Sequence, residues 1–396
     1  MVGDGSKIDP SKAVGHVVVE TEIEYTERDV AMYALSVGAG LSDPLDRMEL
    51  DLVCDIEGRY RSGYSVRTLP SFASCFIAGL LENMPKTPGL SYDPSLLLHG
   101  EHVIEVLHPL PTSGKVRSKS RIVDIRDKGK GALIVIKTQS VDVNTGRELC
   151  VNLTSCFLRG AGQFATGRAA PLKLPVTRGG AGGDVTWEGR SLSSGKTAGG
   201  DVTGSSSSSK LRPSSDSMPM PRKREKTRSE TSRPFPPSPT TTPSSNFDGQ
   251  HPAPFVWEET TLLAQALLFR LCGDVNPIHS NMEVAAKAGF NRPILHGLCT
   301  YGYAARAIVR CCCPGHPECI RKLHGRFLLH VFPGETLRTE IWRGNGNRHK
   351  SGNLGGEVGG GDHIVEQVTF RCSVKERNYA AVLMGTAELI SLQARL

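Results

Sequence analysis

Two stretches of the chain repeat one run of apolar and polar positions. In the first, Thr26 followed by Asp29 has the capping-box spacing of a helix start; Val30, Tyr33, Ala34 and Val37 recur on one helical face, and Gly38 stops the run. In the second, Thr260 or Thr261 takes the capping place, Leu263, Ala266, Leu267 and Leu271 line the face, and Gly273 ends it. An apolar second helix is expected in each: Leu69-Pro70-Ser71-Phe72 leading into residues 73–81, and Leu295-His296-Gly297 leading into residues 298–309. Leu98-His99-Gly100 then opens a strand over 101–107, with a turn at Pro109 and Gly114. Leu323-His324-Gly325 opens its counterpart over 326–332, with Pro333-Gly334 as the turn. Further strand-like runs at 121–125, 132–141 and 149–158 correspond to 337–343, 364–374 and 380–390.

A helix, a buried helix and a set of antiparallel strands, used twice, describe a duplicated α+β unit in which each sheet wraps the apolar helix of its own half. Two such sheets can pair edge to edge within one chain as two subunits would, which is the double hot dog architecture. Between the halves the composition changes. Of the 73 residues 178–250, 42 are Gly, Pro, Ser or Thr, and so few large apolar side chains cannot offset the entropy of ordering the segment. The expected organisation is an N-terminal half over 1–165, a disordered linker over 166–251 and a C-terminal half over 252–396. The Gly-rich residues 344–361 read as an enlarged hairpin loop.

Charge narrows the function. The formal net charge is +7, but residues 178–250 hold 11 basic and 7 acidic groups, a surplus of 4, which leaves the other 323 residues at +3. That near-neutral balance argues against a nucleic-acid surface. The basic cluster Arg222-Lys223-Arg224-Glu225-Lys226 reads as a solvated charge run in the tether. No apolar run approaches the ~18 residues of a spanning helix, and the first residues lack the apolar core of a secretory signal. Eleven cysteines scattered through expected strands and helices therefore read as reduced thiols. Cys311-Cys312-Cys313 with His316 and Cys319 fits no standard zinc spacing, and Pro314, Gly315 and Pro317 make it a solvent-facing turn. Gly129 and Gly131 around Lys130 punctuate a hairpin rather than cradle a phosphate. Ala394-Arg395-Leu396, a small residue, a base and a leucine, has the pattern of a peroxisomal address.

The chemistry concentrates in Gly273-Asp274-Val275-Asn276-Pro277-Ile278-His279 and in Pro293-Ile294-Leu295-His296-Gly297. Asp274 falls just after a helix stop, and Pro277 keeps Asn276 out of helical geometry. Asp274 and His279 thus lie at the two ends of a short turn, placed to face one small cavity. A carboxylate and an imidazole so placed can hold one water between them, one accepting a proton while the other orients or returns it. Gly297, at the start of an apolar helix, offers a backbone N–H, aided by the helix dipole, to a developing oxyanion. Taken singly, Asp274 is an ordinary turn aspartate and His279 an ordinary turn histidine. Their combination with Asn276-Pro277 and the Pro-Ile-Leu-His-Gly helix start points to catalysis. The first half runs Ser36-Val37-Gly38-Ala39 at the corresponding place, with no such motif, so one half carries the chemistry and the other binds or supports.

These residues resemble the hydratase 2 family of MaoC-like (R)-specific enoyl-CoA hydratases, in the form of the monofunctional peroxisomal enzymes of plants and algae. The resemblance extends over residues 18–165 and 252–396. It includes Tyr25-Thr26-Glu27-Arg28-Asp29-Val30, Leu69-Pro70-Ser71-Phe72, Asp93-Pro94-Ser95-Leu96-Leu97-Leu98-His99-Gly100 and Val331-Phe332-Pro333-Gly334-Glu335-Thr336-Leu337. It implies the reversible conversion of trans-2-enoyl-CoA and water to (3R)-3-hydroxyacyl-CoA in peroxisomal fatty acid β-oxidation, with no metal and no other cofactor. It assigns Asp274 and His279 to water activation and proton delivery to C2, and Gly297 to the N–H that holds the thioester oxygen. Asn276 belongs to the substrate site, fixing the pair's geometry. Leu69, Pro70 and Phe72 line an acyl platform in a degenerate first half that binds acyl-CoA. Glu57 is the nearest candidate for an additional carboxylate that some relatives carry, and it stays outside the catalytic set. The implied partners are the acyl-CoA thioester and a peroxisomal import receptor reading Ala394-Arg395-Leu396, with room for a homodimer and with neither nucleic acid nor a membrane span. Two alternatives stay open on the residues alone: another hot dog thioester enzyme, such as a thioesterase or acyl-carrier dehydratase, and a non-catalytic acyl-CoA-binding protein.

Overall fold

Each half begins with a strand that the helical periodicity did not announce. In the computed structural model, which describes residues 7–54, 66–164, 254–344, 349–350 and 364–390, Val17–Tyr25 (β1) precedes Glu27–Ser36 (α1). The α1 start is the expected one: the Thr26 backbone N–H donates to the Asp29 carboxylate at 2.8 Å, and Val30, Tyr33 and Ala34 are buried. The next element, Pro70–Ile77, is a 3₁₀ turn rather than the α-helix expected over 73–81. Gly79, at φ +76°, breaks the chain before a four-residue helix at Leu80–Asn83. Four strands complete the half: Leu97–Val106 (β2), Gly114–Asp127 (β3), Gly131–Asp142 (β4) and Glu148–Arg159 (β5).

The second half follows the same plan with Phe255–Thr260 (β6), Gln265–Arg270 (α2), Met282–Lys287 (α3) and Gly297–Cys312 (α4). Its later strands are Ile320–Phe327 (β7), Thr336–Arg343 (β8), Ile364–Val374 (β9) and Ala380–Ile390 (β10). β7 corrects one expectation: Leu323-His324-Gly325 lies inside the strand, which ends at Phe327, so it does not open a strand over 326–332. The face of α2 is corrected too. Leu263, Leu267 and Leu271 are 82%, 54% and 62% exposed, whereas Gln265, Ala266 and Phe269 are buried. Neighbouring α1 decides this, because the Gln265 amide donates to the Ser36 carbonyl and Phe269 packs against Tyr33 with ring centroids 6.1 Å apart.

The strands form one antiparallel sheet in the order β1-β3-β4-β5-β2-β7-β10-β9-β8-β6, with Lys350 and its neighbour His349 pairing to β9 off this path. Read from the centre outward the two halves repeat, which is the double hot dog arrangement. They join at β2 and β7, where Glu101 faces Arg326 and Glu105 faces Lys322 in register. Opposite charges across such a pair favour this register over a slipped one. Both halves belong to one compact unit. Within it the central helix α4 is buried at every position from 298 to 309, and Gly302 lets α1 approach closely. A Cβ on Gly302 would lie 2.3 Å from the Val37 Cγ1.

Among the described residues the largest fully buried side chain is Arg306 of α4. It pairs with Glu49 at 2.9 Å and with Glu259 of β6, and it donates to the Val37 carbonyl. One turn on, Arg310 pairs with Asp46 and lies over the Trp257 ring at 4.1 Å. These ions tie the segment after α1 to the second half. The cysteine-rich stretch is also more buried than a solvent-facing turn: Cys311 and Cys312 finish α4, while Cys313 and Cys319 pack into the core. Glu57, the 166–251 linker, Ala394-Arg395-Leu396 and nearly all of 344–361 lie outside the described residues. No helix among the described residues is long and apolar enough to cross a membrane.

Removing Arg306 would strand two buried carboxylates. Arg306→Met is expected to lower stability by about 3–5 kcal/mol, read as a fall in the urea unfolding midpoint at an unaltered slope.

Candidate active site

The turn that follows α2 is built by short polar links. Gly273 takes φ +111°, a left-handed conformation that suits glycine and ends the helix. Arg270 reaches forward to donate to the Val275 carbonyl. The Asp274 carboxylate accepts from the Asn276 N–H at 3.2 Å, and the Asn276 side-chain oxygen accepts from the Ile278 N–H at 3.2 Å, capping a 3₁₀ turn at Pro277–His279. Asn276 therefore holds the turn in shape, and it also lines the cavity beside it.

His279 is fixed from the other side. Its Nδ1–H donates to the Ile294 carbonyl at 2.9 Å, which leaves Nε2 as a free lone pair. Burial pushes the His279 pKa below its ordinary 6.5, and the Asp274 charge partly opposes that shift. His296 stacks on His279 with centroids 3.7 Å apart and planes at 27°. Its Nε2–H donates to the Asp274 carbonyl at 3.2 Å. Burial, and then the neighbouring His279, push its pKa down to about 2, so the ring is neutral. Asp274, His279 and His296 each bring one ligand atom within 4.8 Å of the others, a grouping that could suggest a metal. The stacked rings argue against it, because their lone pairs lie in nearly parallel planes instead of converging on one tetrahedral centre. The set is better built to move a proton.

Gly297 opens α4 just after His296. The first intrahelical acceptor, the His296 carbonyl, takes the N–H groups of Cys299 and Thr300, so the Gly297 N–H is one of the free donors at the positive end of a 16-residue helix. A Cβ there would lie 3.1 Å from the Phe327 ring, so a larger residue at the helix start would require that ring to give way.

A cavity of about 330 Å³ opens beside this turn. Asp274, Asn276 and Leu298 line it from the second half, and Ile77, Leu80 and Leu97 from the first. The structure groups Asp274 with His279 and His296 and puts Asp274 and Asn276 in the cavity wall; His279 and Gly297 are not among the lining residues, Gly297 standing between His296 and the lining Leu298. It places Leu69 and Phe72 differently: both are core residues, and Pro70 lines a separate cavity of about 220 Å³. The wall at Asp274 comes from the same segment one turn later. The place of His296 is not legible in the sequence, because a lone histidine beside an apolar run carries no signal of a stacking partner.

Comparison with known proteins gives matches over both halves of the chain. The profile of the MFE-2 hydratase 2 N-terminal domain matches residues 23–160, and that of the MaoC like domain matches residues 243–360. The peroxisomal enoyl-CoA hydratase 2 of Arabidopsis thaliana is 35% identical over 397 residues, covering 100% of both chains. The chain belongs to the hydratase 2 family. A probable enoyl-CoA hydratase 2 of Dictyostelium discoideum is 28% identical over 344 residues, which are 85% of this chain and 88% of that one. The crystal structure of a MaoC-like dehydratase from Phytophthora capsici shares the fold, with a TM-score of 0.62 at 23% identity over 98% of this chain and 100% of its own. In this chain Asp274, Asn276 and Pro277 of the motif line the cavity together with Leu298, the residue after the helix start at Gly297.

Two measurements check the electrostatics. Because the Asp274 charge raises the His279 pKa against burial, Asp274→Asn should make His279 titrate at still lower pH, followed by the NMR shift of its Cε1 proton. His296 and the fully buried His102 are likewise held neutral in the fold, while in the unfolded chain they take up protons near pH 6.5. Their contribution to stability is therefore present above pH 6.5 and lost as pH falls below it, on the order of 1 kcal/mol per pH unit for each histidine. Urea unfolding at pH 7, 6 and 5 should show the loss, and His296→Phe should flatten it.

Proposed function

We propose that this protein catalyses the reversible hydration of trans-2-enoyl-CoA thioesters to (3R)-3-hydroxyacyl-CoA in peroxisomal fatty acid β-oxidation. The observation that carries the reading is the grouping of the Asp274 carboxylate with ring nitrogens of His279 and His296 within 4.8 Å, on a turn whose Asp274 and Asn276 line a largely apolar cavity that Leu298, beside the Gly297 helix start, also lines. Family membership supports it, since the full-length plant relative bears the name of that activity and of that compartment.

The chemistry follows from the geometry. A water between Asp274 and His279 loses a proton to the pair as its oxygen bonds to C3 of the substrate. The C2=C3 electron pair moves toward the carbonyl, and negative charge collects on the thioester oxygen as an enolate. The Gly297 N–H and the α4 dipole stabilise that charge, an effect worth a few kcal/mol per donor in sites of this kind. The pair then returns the proton to C2, so one water is added across the double bond. Neutral His279 suits this task, because its Nδ1–H is committed to Ile294 and only Nε2 can accept. The chain's own residues complete the cycle, each step being a proton transfer or a charge held by an amide.

Hydration should be visible as loss of the enoyl absorbance when the protein is added to crotonyl-CoA or a longer homologue. The product should be consumed by a dehydrogenase specific for the (3R) alcohol and refused by one specific for (3S). Asp274→Asn and His279→Gln are each expected to lower kcat by at least ~100-fold, the scale of lost acid-base help, with little change in the unfolding midpoint. Release of free CoA in place of hydration would identify a thioesterase and refute this reading.

A further inference from the structure

The His279 ring is tied to the main chain by one hydrogen bond, from its Nδ1–H to the Ile294 carbonyl at 2.9 Å. One bond fixes one atom of a ring. The plane of the ring, and with it the direction in which Nε2 points, needs a second restraint. His296 supplies it, stacked on His279 with centroids 3.7 Å apart and planes at 27°. His296 is itself oriented by its bond to the Asp274 carbonyl at 3.2 Å, and it meets the Phe269 ring at 4.9 Å. Phe269 in turn meets Tyr33 at 6.1 Å, and Tyr33 meets Phe72 edge-on at 5.5 Å.

These five rings stand on five separate stretches of chain. Phe72 belongs to the 3₁₀ segment Pro70–Ile77 and Tyr33 to α1, both in the first half. Phe269 is on α2, His296 caps α4, and His279 ends the turn Pro277–His279, all in the second. Three of the four separations fall in the ~4.5–7 Å range of paired aromatic rings, and the stack on His279 is closer. Phe72, Tyr33, Phe269 and His296 are each at most 4% exposed. A close-packed interior transmits a displacement instead of absorbing it, so a shift of one ring is felt by the next. The row therefore reaches from the core of the first half, which has no acid-base motif, to the imidazole of the second.

We propose that His296, Phe269 and Tyr33 are positioning residues for the reaction, a row of packed rings through which the first half holds the plane of the His279 imidazole and aims its Nε2. The proposal rests on the hydratase reading for the task of His279, and it adds what keeps that ring in place. Such a device matters because a misplacement of ~1 Å in a reacting group costs about 100-fold in rate. Phe269 also lines the cavity, so its role as a brace has to be separated from any contact with substrate. His296 and Tyr33 are not among the lining residues.

The test uses the full chain and reads the imidazole directly. The Cε1 proton resonance of His279, assigned by its absence in His279→Gln, senses the ring current of the stacked His296 in the ligand-free protein. Phe269→Leu and Tyr33→Leu leave His296 in the chain, yet each should shift or broaden that resonance. With crotonyl-CoA each should lower kcat by at least ~10-fold and leave KM within ~3-fold. His296→Leu should lose at least ~10-fold in kcat, and His296→Phe, which keeps a flat ring, should recover at least ~3-fold of it. If Tyr33→Leu does not fold, Phe269→Leu decides alone. An unmoved resonance overturns the proposal. So does an equal loss in His296→Leu and His296→Phe, which would leave only the bond to the Asp274 carbonyl at work, or a rise in KM at unchanged kcat in Phe269→Leu, which would make that ring a substrate contact. Because the resonance is read without substrate, ring effects in a protein that hydrates nothing would refute the hydratase reading and leave the brace standing. Hydration with an unmoved resonance would do the reverse.

Discussion

A carboxylate and an imidazole act together on one water only if neither can drift, and in this fold main-chain carbonyls hold them. The Ile294 carbonyl takes the Nδ1–H of His279, and the Asp274 carbonyl takes the Nε2–H of His296, whose ring lies flat against His279. Each bond uses up a ring proton and so settles which nitrogen remains free. Because Ile294 and His296 lie immediately before α4, the same few residues fix the acid-base pair and aim the free amides of the helix start. The proposed acid-base pair and the helix start therefore share one anchor, the short segment before α4 that bonds His279 and stacks on its ring.

Duplication followed by divergence explains where the substrate space comes from. The second half fills its sheet with a 16-residue α-helix. In the first, Pro70–Ile77 winds as a 3₁₀ turn and is interrupted at Gly79, so the corresponding space is only partly filled. Ile77, Leu80 and Leu97 line the cavity that results, and edge pairing of β2 with β7 keeps that half rigidly attached to the half bearing Asp274.

Much of this was legible in the residues. The duplicated α+β plan, the capped start of α1 and the Asp274–His279 turn all follow from spacing, because helix caps, glycine stops and proline restrictions act locally. The exposed face of α2 did not, since periodicity identifies a stripe but the neighbour decides which stripe is buried; Gln265 and Phe269 dock on α1 and rotate Leu263, Leu267 and Leu271 outward. β1 and β6 are edge strands with half-exposed faces, where the alternation is weak beside the strong helical pattern that follows. The two Leu-His-Gly triplets looked equivalent, yet one lies at a bulge near the start of β2 and the other in the middle of β7. Leu69 and Phe72 face the core, and it is Ser74, Cys75 and Ile77 of the same 3₁₀ segment that face the cavity.

Buried histidines connect the stability of the fold to its chemistry. His99, His102, His279 and His296 all lie in places where burial penalises the charged ring. A single buried imidazole would be a modest liability, but four held neutral make an interior in which proton affinity is set by position. His279 differs from the others in having a carboxylate beside it, and only there does a nearby charge oppose the effect of burial. Burial thus suppresses protonation at these rings, and the Asp274 charge partly offsets it at His279, the imidazole that the proposed reaction pairs with Asp274.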